Sequence, residues 1–173
     1  MGFIKKVVVL GLVAGGGTFL YGRSLPREHT VRSTVTIVAS PDTVFKVIRN
    51  IGTTSTWWSD MKSSRRVTSS RGEVWEENMG PGGVIQVAIS RVVPGQSMVH
   101  TVVDDGTQGW GGTWTYQVAS TGAGTEVTIV EEGYVDSPFV RVLMKLRGKY
   151  RTVDSYLSSL GAHFGEPVSP RHG

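Results

Sequence analysis

Hydrophobic and polar positions alternate from residue 29 onward. Val31, Ser33, Val35 and Ile37 fall on one face of a strand, and Thr30, Arg32, Thr34 and Thr36 on the other. The rhythm then changes. Ser40-Pro41-Asp42 offers an N-cap, a proline at the first helical position and an acid in the first turn. Val44, Phe45, Val47, Ile48 and Ile51 supply the apolar side of that helix, which ends at Gly52, and 53–59 reads as a second short helix carrying Trp57 and Trp58. Alternation returns beyond Lys62, over 65–70, 73–79, 84–93, 97–104, 110–119 and 125–135. The breaks are turn sequences: Arg71-Gly72, Gly80-Pro81-Gly82-Gly83, Pro94-Gly95, Asp105-Gly106 and the run Thr121-Gly122-Ala123-Gly124. Helical spacing closes the folded part. After Ser137 and Pro138, apolar residues recur at Phe139, Val142, Leu143, Leu146, Tyr150, Val153, Leu157 and Leu160, and Gly161 sits where a C-terminal cap belongs.

One helix over 137–160 is a rod of roughly 36 Å. Strands of eight to ten residues span about 26–33 Å, nearly the same length, and short turns pair them antiparallel. The pattern predicts an α+β domain in which a curved antiparallel sheet of six to seven strands grips a long C-terminal helix, with a hydrophobic helix at the N-terminus.

That N-terminal stretch has Lys5 and Lys6 followed by an uncharged run over 7–22. The run is about 16 residues, or roughly 24 Å of helix, and Phe3 and Ile4 lengthen it if the lysines reach back to headgroups. Ala14-Gly15-Gly16-Gly17 offers small residues but no A-x-A cleavage pattern, so a retained single-pass anchor is preferred to a cleaved signal peptide that would leave a secreted domain, and to a soluble peripheral segment. The organisation read from the sequence is a transmembrane segment over 1–22, a linker over 23–28, a folded domain over 29–166 and a disordered tail over 167–173.

The order strand–helix–helix–meander–helix carries "ASPDTVFKVIRNIGTTSTWWSDM" at 39–61, "RGEVWEE" at 71–77, "GWGGTWTYQV" at 109–118 and "LRGKYRTVDSYLSSLGAHFGE" at 146–166. With these pieces the chain resembles the START-related helix-grip superfamily, and most of all its polyketide cyclase/dehydrase-like branch. The resemblance implies an apolar cavity between sheet and terminal helix. Members bind lipids, sterols, hormones or polyketides, and only some are enzymes. No catalytic residue carries over, because no family-wide catalytic motif is matched.

Within that frame the inward positions are the candidate ligand-binding residues: Trp75, Ile85, Val87, Arg91, His100, Trp110, Trp114, Tyr116, Leu143, Leu146 and Tyr150. Trp110, Trp114 and Tyr116 share one face and either line a pocket or pack on Leu143, Leu146 and Tyr150. Arg91 lies in phase with Ile85, Val87 and Ile89, where it would pair with an inward glutamate or a ligand carboxylate. One residue of each of Glu76-Glu77 and Glu131-Glu132 must face inward, and Glu76 or Glu131 would then be a buried carboxyl of raised pKa.

Charge and motifs narrow the functional classes. The net charge is +4 and there is no cysteine, so thiolate chemistry and disulfides are excluded. Lys5, Lys6, Arg23, Arg27 and Arg171 lie in the flanks, which argues against a nucleic-acid face. Nucleotide-binding, hydrolase and metalloprotease patterns are missing. His29, His100, His163 and His172 lack metal-ligand spacing, so neither metal nor cofactor is expected. The basic residues Arg141, Lys145, Arg147, Lys149 and Arg151 form a solvated face or hold anionic headgroups. The expected partners are a hydrophobic small molecule or lipid and a membrane. Two rival readings stand beside this binding module: a cyclase- or dehydratase-type enzyme using His100 or an inward glutamate as base, and an interaction domain whose cavity is filled by its own side chains.

Overall fold

The computed structural model describes residues 15–104 and 106–173. Helix α1 covers 15–24. Then follow β1 (Glu28–Ile37), α2 (Pro41–Arg49), a 3-10 turn (Ile51–Thr56), β2 (Ser63–Val67), β3 (Val74–Asn78), a second 3-10 turn (Gly80–Gly82), β4 (Val84–Val93), β5 (Ser97–Val102), β6 (Trp110–Thr121), β7 (Gly124–Val135), α3 (Pro138–Arg147), α4 (Arg151–His163) and β8 (Arg171–His172). The strands form one sheet in the order β2-β3-β4-β5-β6-β7-β1-β8, antiparallel throughout. Consecutive strands β2 to β7 are neighbours because short turns join them, and β1 closes the meander along the full length of β7, from Glu28 opposite Tyr134 to Ile37 opposite Thr125.

Helix α2 begins as its sequence dictates. The Ser40 side chain accepts from the Thr43 amide at 3.3 Å, Pro41 starts α2, and Val44, Phe45 and Ile48 are buried. Ile37, Ile48, Ile51, Met98, Ile129, Leu157 and Leu160 build the core between the sheet, α2 and α4.

Three expectations are corrected. The sheet has eight strands rather than six to seven, and the extra one lies in the stretch read as a disordered tail over 167–173. Arg171 and His172 pair with Thr34 and Ser33. The His172 ring stacks on Tyr150 with centroids 3.7 Å apart, and its Nε2 lies 2.9 Å from Asp154 Oδ2. The single rod over 137–160 is two helices, because Gly148 adopts φ 86° and ψ 129°, a conformation no helix contains and a side chain resists. Gly161 is not a cap. It lies inside α4, where a Cβ would sit 2.4 Å from a Val168 methyl, so glycine lets the chain beyond the helix fold back against it.

The two helices differ in what they bury. Val153, Tyr156, Leu157 and Leu160 of α4 are buried, whereas α3 has no buried residue. Helix α1 packs on α3: the Phe19 and Phe139 rings are 5.9 Å apart, and Arg141 donates to the Leu25 carbonyl at 2.7 Å. Among the described residues no helix is long and apolar enough to cross a membrane. Most of the transmembrane segment read over 1–22 lies outside the described residues.

Candidate functional site

The inward faces of β3, β4, β5 and β6 meet α4 across a cavity of about 570 Å³. Cross-strand register assembles its wall. Glu77 stands opposite Ile85, His100 opposite Trp114, and Tyr116 opposite Ile129, and every one of these side chains lines the cavity. From the helix side come Val153 and Tyr156, and Trp58 and Met79 close the flank. Asp60, Lys62, Arg147 and Arg151 also line it, with Lys62 and both arginines exposed to solvent at the mouth.

Aromatic contacts make one wall continuous. His100 and Tyr116 have ring centroids 4.8 Å apart, Tyr116 and Tyr156 5.3 Å, and Tyr156 and Trp58 5.1 Å in an edge-on arrangement. Trp114 is held by its indole, which donates to Glu131 Oε2 at 2.9 Å, while the other oxygen of Glu131 lies 3.0 Å from His29 Nε2. Trp58 is fixed the same way: its indole donates to the Ser155 hydroxyl at 3.1 Å, and Ser155 donates to Asp60 at 2.7 Å.

Against these satisfied groups stand several that have no hydrogen-bond partner among the described residues. His100 is buried and its Nε2 meets no hydrogen-bond partner. Burial first, and the Arg49 charge second, push its pKa down to about 3, so the ring is neutral at physiological pH. The Glu77 carboxyl is also buried, and burial raises its pKa to about 7. Burial likewise raises the pKa of Tyr116 and Tyr156, with Glu77 adding to both, so the two phenols stay protonated. A neutral imidazole, two phenols and a carboxyl that titrates near neutrality therefore face a chamber otherwise walled by aromatic and aliphatic side chains. The arrangement offers hydrogen bonds to a polar group on an apolar molecule. Among the described residues no group of three or more His, Asp or Glu side chains is placed to hold a metal ion.

Of the residues singled out in the sequence, Ile85, His100, Trp110, Trp114 and Tyr116 are brought together on the cavity wall. Trp75 and Val87 are not part of that lining. Trp75 packs over Gly52 and donates to Glu73 at 2.8 Å, and Val87 is fully buried in the sheet. Arg49 forks onto the same Glu73, with one bond of 2.8 Å. Burial works against the Glu73 carboxylate, but its hydrogen bonds to Arg49 and Trp75 outweigh it and hold the pKa low. Arg91 is exposed, because a bulge between Ile89 and Arg91 breaks the alternation that had placed it inward. Leu143 and Leu146 are 44% and 80% exposed and stand away from the cavity. Tyr150 contacts His172 instead. The carboxyl buried on β3 is Glu77 and not Glu76, whose side chain bonds Arg65. The sequence reading also missed Tyr156, although it lies three residues after Val153 on the same helical face.

The sequence matches the family described as polyketide cyclase / dehydrase and lipid transport over residues 28–155. The chain belongs to this family. The cyclase/lipid-transport match covers the β1–β7 sheet, α2, α3 and the start of α4, which includes most of the cavity wall. No curated protein matches the chain significantly. Solved structures match its fold. A START superfamily protein from Mycobacterium smegmatis is 15% identical, with a TM-score of 0.63 over 79% of this chain and 97% of that one. The Zhui aromatase/cyclase from Streptomyces sp. R1128 is 12% identical, with a TM-score of 0.65 over 80% and 94%. The Aha1 protein from Colwellia psychrerythraea, solved as a dimer, is 14% identical, with a TM-score of 0.57 over 79% and 96%. At these identities the likeness concerns fold, which is shared by proteins of different activity.

Proposed function

We propose that the protein is a membrane-anchored binding module that holds a hydrophobic, lipid-like small molecule in the chamber between the sheet and α4. The observation that carries this reading is the chamber itself. Its volume of about 570 Å³ falls within the range of small-molecule sites, and its walls present unpartnered polar groups among aromatic rings. A chamber of this size also speaks against the reading in which the protein's own side chains fill it. The anchor is assigned to the apolar run over 7–22, whose residues 15–22 belong to α1.

Native mass spectrometry of the full-length chain purified from membranes tests the reading. The expected result is a copurifying apolar molecule, released on unfolding. Tyr156→Phe should weaken retention by roughly 2- to 10-fold, the worth of one hydrogen bond, without lowering stability. A chain that stays empty when purified from membranes and when offered mixed lipid extracts overturns it.

One observation favours a second reading, an enzyme of the cyclase or dehydratase kind. Glu77, whose pKa of about 7 suits proton transfer near neutrality, shares a wall with His100, a neutral ring whose Nε2 has no hydrogen-bond partner among the described residues. Turnover of an apolar substrate, abolished in both His100→Ala and Glu77→Gln while binding persists, would establish it.

A further inference from the structure

Helix α3 carries an apolar stripe that α1 meets at its first turn, Phe19 against Phe139, and that stays exposed beyond it. Phe139, Leu143 and Leu146 follow one another at helical spacing and are 52%, 44% and 80% exposed, with Val140 beside them at 42%. The stripe does not end with α3. Leu20 and Tyr21 of α1 are 69% and 46% exposed, and the two helices touch. A Cβ at Gly22 would lie 2.1 Å from the Pro138 carbonyl oxygen, so glycine permits this approach. The Lys145 ammonium lies 5.4 Å from the Tyr21 ring centroid.

Charge tells what covers this face. From Ser137 to Val153 the chain has no acidic residue and five basic ones: Arg141, Lys145, Arg147, Lys149 and Arg151. Arg141 is used inside the fold, bonding the Leu25 and Asp136 carbonyls. Neither Arg147 nor Arg151 has an ion-pair partner among the described residues. An apolar stripe rimmed by unopposed cations is the composition of a helix lying in the interface of an anionic bilayer. A protein partner or a second copy would have to supply acidic groups around an apolar centre, and this chain shows no matching acidic face on α3 itself. Continuity adds to the argument, since residues 15–22 of the apolar run over 7–22 belong to α1, which packs on α3.

We propose that α3, together with the end of α1, docks on an anionic lipid surface and thereby turns the mouth of the cavity toward that surface. Arg147 ends α3 and lines the mouth, and Arg151 and Thr152 line it at the start of α4. A molecule leaving the bilayer beside α3 meets these guanidinium groups before the aromatic chamber. The docking stands on the helix face alone, whereas its link to loading rests on the binding reading above.

The native absence of cysteine allows a direct test. Full-length protein is labelled with an environment-sensitive dye at Leu146→Cys or, in a separate preparation, at Ser120→Cys. Ser120 is exposed and pairs with Thr125, at the end of β6–β7 far from the α3 end, where Trp110 pairs with Val135. Each preparation is reconstituted in phosphatidylcholine vesicles with and without phosphatidylglycerol, both carrying a lipid-borne quencher. The Leu146→Cys dye should be quenched several-fold more than the Ser120→Cys dye in the anionic vesicles. The combination Lys145→Glu with Arg147→Glu should abolish the dependence on phosphatidylglycerol. Equal quenching at both positions overturns the docking, and so does a Leu146→Cys dye that becomes shielded with rising protein concentration in the absence of lipid. Quenching at Leu146→Cys in a protein that retains no ligand upholds the docking and sinks the binding reading, while ligand retention without quenching does the reverse.

Discussion

Helices α3 and α4 come from one continuous stretch of sequence with one apolar rhythm, yet they end in opposite environments. Helix α4 buries Val153, Tyr156, Leu157 and Leu160 against the sheet, and α3 buries nothing. Periodicity marks which side of a helix is apolar. It does not say whether a sheet lies beneath that side. At Gly148 the helix is broken by a residue at φ 86° and ψ 129°. The apolar stripe upstream of the break is left outside the core, and the stripe downstream becomes the roof of the cavity.

Substitution at matched leucines should break this comparison most clearly. Leu157→Ala removes a fully buried side chain and should cost about 2–5 kcal/mol, read as a lower denaturation midpoint in urea. A smaller change is expected under the α4 roof. Burial raises the folded-state pKa of Glu77 from 4.5 to about 7, so the folded protein binds more protons than the unfolded chain between those values. Stability should therefore be highest below about pH 4.5 as far as this group is concerned, fall as pH rises to 7, and level off above. Glu77→Gln should remove that slope and raise stability at pH 8 by up to about 3 kcal/mol, measured by thermal unfolding across pH. Gly148→Ala probes the break itself. It forces a side chain into φ 86° and should cost on the order of 1–3 kcal/mol, or else straighten the junction and alter the α-helical circular dichroism. Leu146→Ala should change stability by less than about 0.5 kcal/mol in the same urea titration, because the side chain is 80% exposed.

The sheet was largely legible in the sequence because its side chains have a period of two and its turns are rich in glycine and proline. His100, Trp114 and Tyr116 could be placed on one inward face by counting alone. Counting failed where the backbone departs from regularity. The bulge after Ile89 put Arg91 outside, and nothing in Ile89-Ser90-Arg91 announces it. On β3 the phase was recoverable: Trp75 faces inward, so two residues on Glu77 must as well, and the choice of Glu76 ignored that anchor. Gly148 was a visible signal passed over, because the apolar spacing on either side of it carries on unbroken. The pairing of Arg171 and His172 with β1 was not legible. It depends on a stacked ring at Tyr150 and a carboxylate at Asp154 that only the folded chain brings together.

That last pairing has a bearing on the open border of the sheet. A strand at the border of a sheet displays free amide and carbonyl groups that invite a neighbour's strand to add on. Two residues near the C-terminus occupy part of that border on β1, and the Gly173 amide donates to the Arg32 carbonyl at 3.1 Å to lengthen the seal. A protease that clipped the last few residues would uncover a sticky rim, and the first symptom would be oligomers growing edge to edge from a domain whose interior is intact.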